Sequence, residues 1–170
     1  NSEGHELYGK YSQDHKPFVE QRKAVGHSVR AGYLYAGVTD VAALTGSNEY
    51  NNSLFSIWRD IVEHKTYLTG GIGSEPHIEG FGPDYQLPNA TAYTETCAAI
   101  SMMLWNYRLF LLTGDVKYMD VFERTLYNGF LPGISLEGDT YFYPNPLESD
   151  GIYLFNHGMI KRSPWFDVSC

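Results

Sequence analysis

The sequence predicts an all-α fold built from helical hairpins. Two observations carry this. Four segments place apolar residues at helical spacing and stop at glycine or proline. One hairpin pattern also occurs twice: Leu44-Thr-Gly46-x-x-x-Tyr50 returns as Leu112-Thr-Gly114-x-x-x-Tyr118, 68 positions later. In both copies a long apolar helix ends at glycine and an amphipathic one starts within a few residues. That is an αα-hairpin repeated once with an insert between the copies. Such a repeat belongs to a helical array or toroid rather than to a sheet-based fold.

The elements follow in order. A polar stretch, Asn1 to Lys16, precedes Pro17. A helix is predicted from about Val19 to Leu44 on the spacing of Val25, Val29, Leu34 and Val38, ended by Thr45-Gly46. A second spans Glu49 to Lys65, with Leu54, Trp58, Ile61 and Val62 on one face. Tyr67 to Asn89 holds Gly70, Gly71, Gly73, Gly80 and Gly82 together with Pro76, Pro83 and Pro88, so it reads as a long loop. Loops of that length inside a compact domain are commonly functional. The third helix, Glu95 to Leu112, is apolar nearly all round and is expected to be central and buried. A fourth runs from an Asp115 cap to about Asn128. Beyond Pro132, Thr140–Tyr143 and Ile152–Phe155 read as short extended or β segments.

Composition excludes several classes. Of 170 residues, 43% are hydrophobic, enough for one core, and 15% aromatic against 19% charged excludes a disordered chain. With 12 Lys+Arg against 20 Asp+Glu, a net charge of −8 and no basic cluster, nucleic acid is excluded as a partner. The longest near-apolar run, Cys97 to Leu104, is too short to cross a bilayer, so no membrane span is expected. The polar beginning and the final Cys170 read as a segment of a longer protein, with residues 1–170 forming one part of a single domain. The 14 tyrosines suit a sugar-lined surface or amphipathic core filling equally.

Three places hold residues with chemical potential. The loop Gly70-Gly-Ile-Gly73-Ser-Glu-Pro-His77-Ile-Glu79-Gly-Phe81 has neither the dinucleotide nor the P-loop spacing. What remains is an acid near a histidine on a glycine-flexed loop, either a general acid or a solvated carboxylate. In Tyr93-Thr-Glu95-Thr-Cys97, carboxylate and thiol converge only if the segment is still extended where the helix begins, and then form part of a zinc set. Cys170 is a third candidate; a buried core thiol and a Cys97–Cys170 disulfide stay open. His27, in Gly26-His-Ser-Val-Arg30, reads as a core histidine inside the first helix, and Glu123-Arg124 as the wet face of the fourth.

Taken together, Gly26-His-Ser-Val-Arg-Ala-Gly-Tyr-Leu34, Thr69-Gly-Gly-Ile-Gly-Ser74, His77-x-Glu79-x-Phe81, Leu87-Pro-Asn89, Tyr93-x-Glu95-x-Cys97-Ala98 and Trp165-Phe-Asp-Val-Ser-Cys170 resemble glycoside hydrolase family 127. These are β-L-arabinofuranosidase-type enzymes of the six-hairpin glycosidase superfamily, and the resemblance covers nearly the whole chain in order. It implies part of an (α/α)6 barrel and a retaining hydrolase whose zinc ion is held by a glutamate and three cysteines, one of them the nucleophile. Carried onto this sequence, Glu95, Cys97 and Cys170 match zinc ligands and Cys170 also matches the nucleophile. Glu79 matches the acid/base, and His27, Glu123 and Tyr143 match sugar contacts. The implied substrate is a terminal β-L-arabinofuranoside or a related plant-cell-wall glycoside. The second cysteine of the family's Cys-Cys pair would be the residue after Cys170, and four helices are a third of a twelve-helix toroid.

The chemistry is coherent. Zinc deprotonates a bound thiol and fixes it, giving a thiolate that is a weaker nucleophile but a better leaving group in deglycosylation. One carboxyl then serves as acid and base, with sulfur in place of the second carboxylate. Two other readings stay open: an (α/α)6 sugar epimerase or isomerase without a metal, and a non-catalytic carbohydrate-binding module in which both cysteines are structural. Metal content and thiol alkylation separate them. Apolar faces around Trp58, Ile61, Met119 and Phe122 are expected to be uncovered and to find another copy of the chain, making a homo-oligomer.

Overall fold

A computed structural model describes residues 9–164. Four α-helices form two hairpins: α1 (Ser28–Thr45) with α2 (Asn48–His64), and α3 (Thr96–Thr113) with α4 (Lys117–Arg124). Among the described residues, no helix is long and apolar enough to cross a membrane.

The repeat read from sequence is structural. α1 and α3 begin and end 68 positions apart, and each stops at a left-handed glycine, Gly46 at φ 66° and Gly114 at φ 71°. Glycine takes that conformation without a Cβ penalty, and its N–H closes the last turn onto Ala42 and Phe110 respectively. The two long helices run side by side in the same direction. Gly32 abuts Ser101, whose Oγ would lie 2.1 Å from a Cβ at Gly32. Tyr35 packs on Trp105 with ring centroids 4.8 Å apart, and Trp105 Nε1 donates to Thr39 Oγ1 at 3.1 Å. Asp40 then pairs with Arg108 at 2.9 Å. A buried aromatic pair of this kind adds about 0.5–1.5 kcal/mol beyond its area.

α2 returns against α1 through its apolar face, where Leu54, Ile57 and Ile61 are fully buried. Ser47 caps it, its Oγ accepting from Tyr50 N. α4 returns along α3 and continues as a π-helical turn, Thr125–Phe130. That turn sets Thr125 against Gly70, and Gly133 beyond it abuts Thr96. The N-termini of α1 and α3 therefore share one end of the layer with the C-termini of α2 and α4.

Four expectations are corrected. The first helix begins at Ser28, not Val19, because Gly26 turns at φ 72° with Lys10 and Tyr11 backbone pressed against it, and His27 N donates to Tyr11 O. His27 is thus an N-cap residue, not a histidine inside the helix. The fourth α-helix starts at Lys117 and gives way to the π turn after Arg124. The segments Thr140–Tyr143 and Ile152–Phe155, expected as short extended or β segments, are irregular stretches, the first with isolated bridges of Ile134 to Tyr141 and Tyr141 to Ser163. The uncovered apolar faces also lie elsewhere. Ile61 is fully buried, and Trp58 is half-buried, donating from Nε1 to Asn106 Oδ1 at 2.8 Å. Exposed instead are Tyr33, Leu34, Val41 and Leu44 of α1 and Leu104, Tyr107 and Leu111 of α3, with Leu44 at 87% and Leu111 at 64%. Both helices are apolar nearly all round, and two hairpins cover only part of each circumference.

Candidate active site

The first residue of each long helix anchors a segment of the site. A helix leaves its first backbone N–H groups without intrahelical partners. Ser28 N donates to the Glu79 carbonyl at 3.0 Å, reinforced by Ser28 Oγ at 3.0 Å. Thr96 N donates to the Tyr143 carbonyl, also at 3.0 Å, and Thr96 Oγ1 to the Phe142 carbonyl at 2.6 Å.

The Glu79 loop is further closed by reciprocal bonds between Glu75 and Gly80 and by Phe81 N donating to Gly26 O at 2.9 Å. A Cβ at Gly80 would sit 2.1 Å from the Gly26 carbonyl oxygen, so only glycine fits. Glu79 itself has φ 50°, the left-handed region rare for a side chain with Cβ. Such strain persists only where the surroundings fix it, and here the carbonyl and both neighbouring amides of the turn are tied down.

The Glu79 side chain is 34% exposed and carries a partner on each oxygen. Tyr93 Oη donates to Oε1 at 3.0 Å, and His27 Nε2 lies 3.2 Å from Oε2. Arg30 N donates to His27 Nδ1 at 3.4 Å, which leaves the neutral ring's proton on Nε2 and makes that nitrogen the donor to Glu79. His27 is 12% exposed. Burial, the largest effect, lowers its pKa below the ordinary value; the Glu79 charge opposes this and Arg30 adds to it. Burial likewise raises the Tyr93 pKa, followed by the Glu79 charge, so its hydroxyl stays protonated.

Glu95 caps α3 on extended backbone (φ −64°, ψ 143°), two residues before Cys97. It is 1% exposed, and neither carboxylate oxygen has a partner in hydrogen-bond geometry. Burial pushes its pKa up to about 8; the Tyr143 hydroxyl stabilises the anion from outside full hydrogen-bond geometry, and the Glu79 charge works the other way. A buried carboxyl two residues from a half-buried thiol is a pair of donors that a thiophilic cation would complete. The donor set therefore fits zinc. Cys170 lies outside the described residues, as does Trp165. Pro164, however, lines a cavity of about 370 Å³ together with Thr96, Cys97, Ile100, Tyr141 and Tyr143.

Tyr143 is fixed by Asn156, which is fully buried, accepts from Tyr143 N at 2.8 Å and donates to Lys161 O at 2.8 Å. Its ring meets Tyr93 edge-on at 6.2 Å, joining the cavity wall to the Glu79 cluster. Of the sequence-predicted residues, His27, Glu79, Glu95, Cys97 and Tyr143 thus gather at one end of the layer. Glu123 lies near the C-terminus of α4, at the same end of the layer, but outside the wall of that cavity. It is exposed near the end of α4, in a separate depression with Asp120, Arg124, Tyr127 and Asn128. Sequence reasoning missed Tyr93, Ser28, Thr96 and Asn156. For Tyr93 the signal was its place in Tyr-x-Glu-x-Cys; the other three carried none.

A second set, Asp60, His64 and Asp84, brings potential ligand atoms within 4.8 Å. Its carboxylates are already paired: Lys65 Nζ lies 2.5 Å from Asp60 and 3.2 Å from Asp84, and Lys23 Nζ 2.7 Å from Asp84. Ala24 N also donates to Asp60 at 2.8 Å. Two ammonium groups neutralise two carboxylates, so this network tethers the Asp84 segment to α2 rather than inviting a cation.

The family model for the β-L-arabinofuranosidase GH127 catalytic domain matches residues 2–170. A non-reducing end β-L-arabinofuranosidase of Bifidobacterium longum subsp. longum is 40% identical over 164 residues, which are 94% of this chain and 25% of that protein. Among solved structures, a GH127 β-arabinofuranosidase is 56% identical with a TM-score of 0.88, over 95% of this chain and 24% of its own. A GH127 β-L-arabinofuranosidase from Geobacillus stearothermophilus T6 is 41% identical with a TM-score of 0.86, over 92% of this chain and 25% of its own. The chain spans about a quarter of the length of these relatives. Its two hairpins correspond to part of their (α/α)6 barrel. The chain belongs to the GH127 β-L-arabinofuranosidase catalytic-domain family.

Proposed function

We propose that this chain supplies the acid/base, the nucleophile and part of the metal site of a retaining glycoside hydrolase acting on terminal β-L-arabinofuranosides or related plant-cell-wall glycosides. The observation that carries the reading is the Glu79 carboxyl, gripped on both oxygens by His27 and Tyr93 at the end of the layer where Glu95 is buried without donors. Glu95, Cys97 and Cys170 are the residues of this chain that would hold zinc, which when bound keeps thiols deprotonated at neutral pH.

In the first step the Cys170 thiolate attacks the anomeric carbon. The glycosidic C–O bond breaks, and protonated Glu79 gives its proton to the leaving oxygen. In the second, the Glu79 carboxylate takes a proton from water as that water attacks the anomeric carbon. The C–S bond breaks and the thiolate is restored. Tyr143 forms one wall of the cavity beside Cys97, and His27 stands against the Glu79 carboxyl; both are assigned to the sugar. Glu123, exposed near the end of α4, is assigned to the sugar with them.

The test is Glu79→Gln in the full-length enzyme, assayed on glycosides with poor and with activated leaving groups, alongside metal analysis. Turnover of the poor leaving group should fall by about 10²–10⁴, and the activated one should lose less in glycosylation. Equal, mild losses on both, or a fully loaded protein without a thiophilic metal, would contradict the assignment.

A further inference from the structure

The tethered backbone fixes where Glu79 starts, not how its carboxyl is turned. Ser28 holds the carbonyl and Gly80 the chain behind it, yet the side chain keeps its own rotations. His27 on one oxygen restrains position but still allows the carboxyl plane to swing about that contact. A second donor on the other oxygen removes this freedom. We propose that Tyr93 is a positioning residue for the acid/base, its hydroxyl 3.0 Å from Glu79 Oε1 completing a two-point grip that aims the carboxyl at the leaving oxygen. The inference rests on the reading of Glu79 as the acid/base.

Tyr93 is itself held. Gly73 passes so close that a Cβ there would lie 3.2 Å from the Tyr93 carbonyl. The next residue, Thr94, accepts at its carbonyl from Asn145 N at 3.0 Å and Asn145 Nδ2 at 2.9 Å. The ring rests edge-on against Tyr143. A hydroxyl anchored this well orients the carboxyl without having to be ordered during the reaction.

The test is Tyr93→Phe in the full-length enzyme, which keeps the ring and removes only the donor. With a poor leaving group kcat should fall about ten- to a hundredfold, the range for losing a hydrogen bond to a charged group. KM should stay within about twofold, and the loss should shrink with an activated leaving group, which needs no proton. In a double-variant cycle, adding Tyr93→Phe to Glu79→Gln should cost nothing further. Unchanged kcat in Tyr93→Phe, or losses that add in the double variant, would overturn the inference while leaving Glu79 in its role. Collapse of the Tyr93→Phe melting temperature or zinc content would also overturn it, because a positioning hydroxyl is dispensable for folding. Full turnover of poor leaving groups by Glu79→Gln would remove the acid/base reading and this inference with it.

Discussion

Ser28 and Thr96 are the same residue of the repeat: each is the first residue of its long helix, and each donates its backbone N–H at 3.0 Å to a carbonyl of the site, Glu79 for Ser28 and Tyr143 for Thr96. The two hairpins therefore present their unpartnered helix-start amides at one end of the layer, and the segments carrying chemistry are hung from them. Substituting Ser28→Pro tests this. Proline suits the first helical position and His27 already has the extended ψ it requires, so the helix should survive. Both bonds to the Glu79 carbonyl are lost. Stability should drop by about 1–3 kcal/mol while turnover falls severely. Full activity in this variant would show that the tether does not position Glu79.

Metal binding separates the two acidic sets. Glu95→Gln or Cys97→Ser should take zinc from about one per full-length chain to near zero. Asp84→Asn should leave the metal in place, because Asp84 is already satisfied by Lys23 and Lys65. Zinc lost on Asp84→Asn but retained on Glu95→Gln, as read by elemental analysis, would reverse the assignment.

His27 gives a pH signature. Its folded-state pKa is lowered from the ordinary value, chiefly by burial. Below that ordinary value, about 6.5, the unfolded chain takes up the proton first, so stability falls as pH drops from there through the lower folded pKa. Above it the contribution is fully present. His27→Asn keeps a competent helix cap and removes the titration. Urea melts between pH 5 and 7.5 should show a shallower acid-side loss in the variant. Identical slopes would mean that His27 titrates as an exposed ring.

The helix ends were legible because Thr-Gly stops a helix through a backbone conformation that glycine alone takes freely; Gly46 and Gly114 both do so. The repeat followed from the same signal. The start of α1 was not legible, since Val25 keeps helical spacing with Val29 across Gly26, and what breaks the helix is the approach of Lys10 and Tyr11. Glu79 and Glu95 could be singled out as carboxyls, but not that one is gripped by His27, 52 positions away, or that the other is buried without donors. Tyr93 is one tyrosine among 14; its place in Tyr-x-Glu-x-Cys marks it out, but its role as a donor to Glu79 shows only in the contact. The open apolar stripe was misplaced because periodicity shows which residues are apolar, not which neighbour covers them.

That stripe has a consequence for the 170-residue chain studied alone. Leu44, Leu111, Tyr33 and Tyr107 leave apolar surface that association of copies would cover. Light scattering should find oligomers, and the pair Leu44→Glu with Leu111→Glu should shift them toward monomer. A monomeric parent at tens of micromolar would contradict this.

The most direct measurement of the central claim is the intact mass, with peptide mapping, of full-length Glu79→Gln mixed with an activated aryl β-L-arabinofuranoside. The aryl group leaves without a proton, so the first step proceeds, while the second lacks its base and stalls. The account predicts a pentosyl adduct that accumulates on Cys170 and is absent in Glu79→Gln combined with Cys170→Ser. No adduct, or an adduct mapped to a carboxylate, would contradict it.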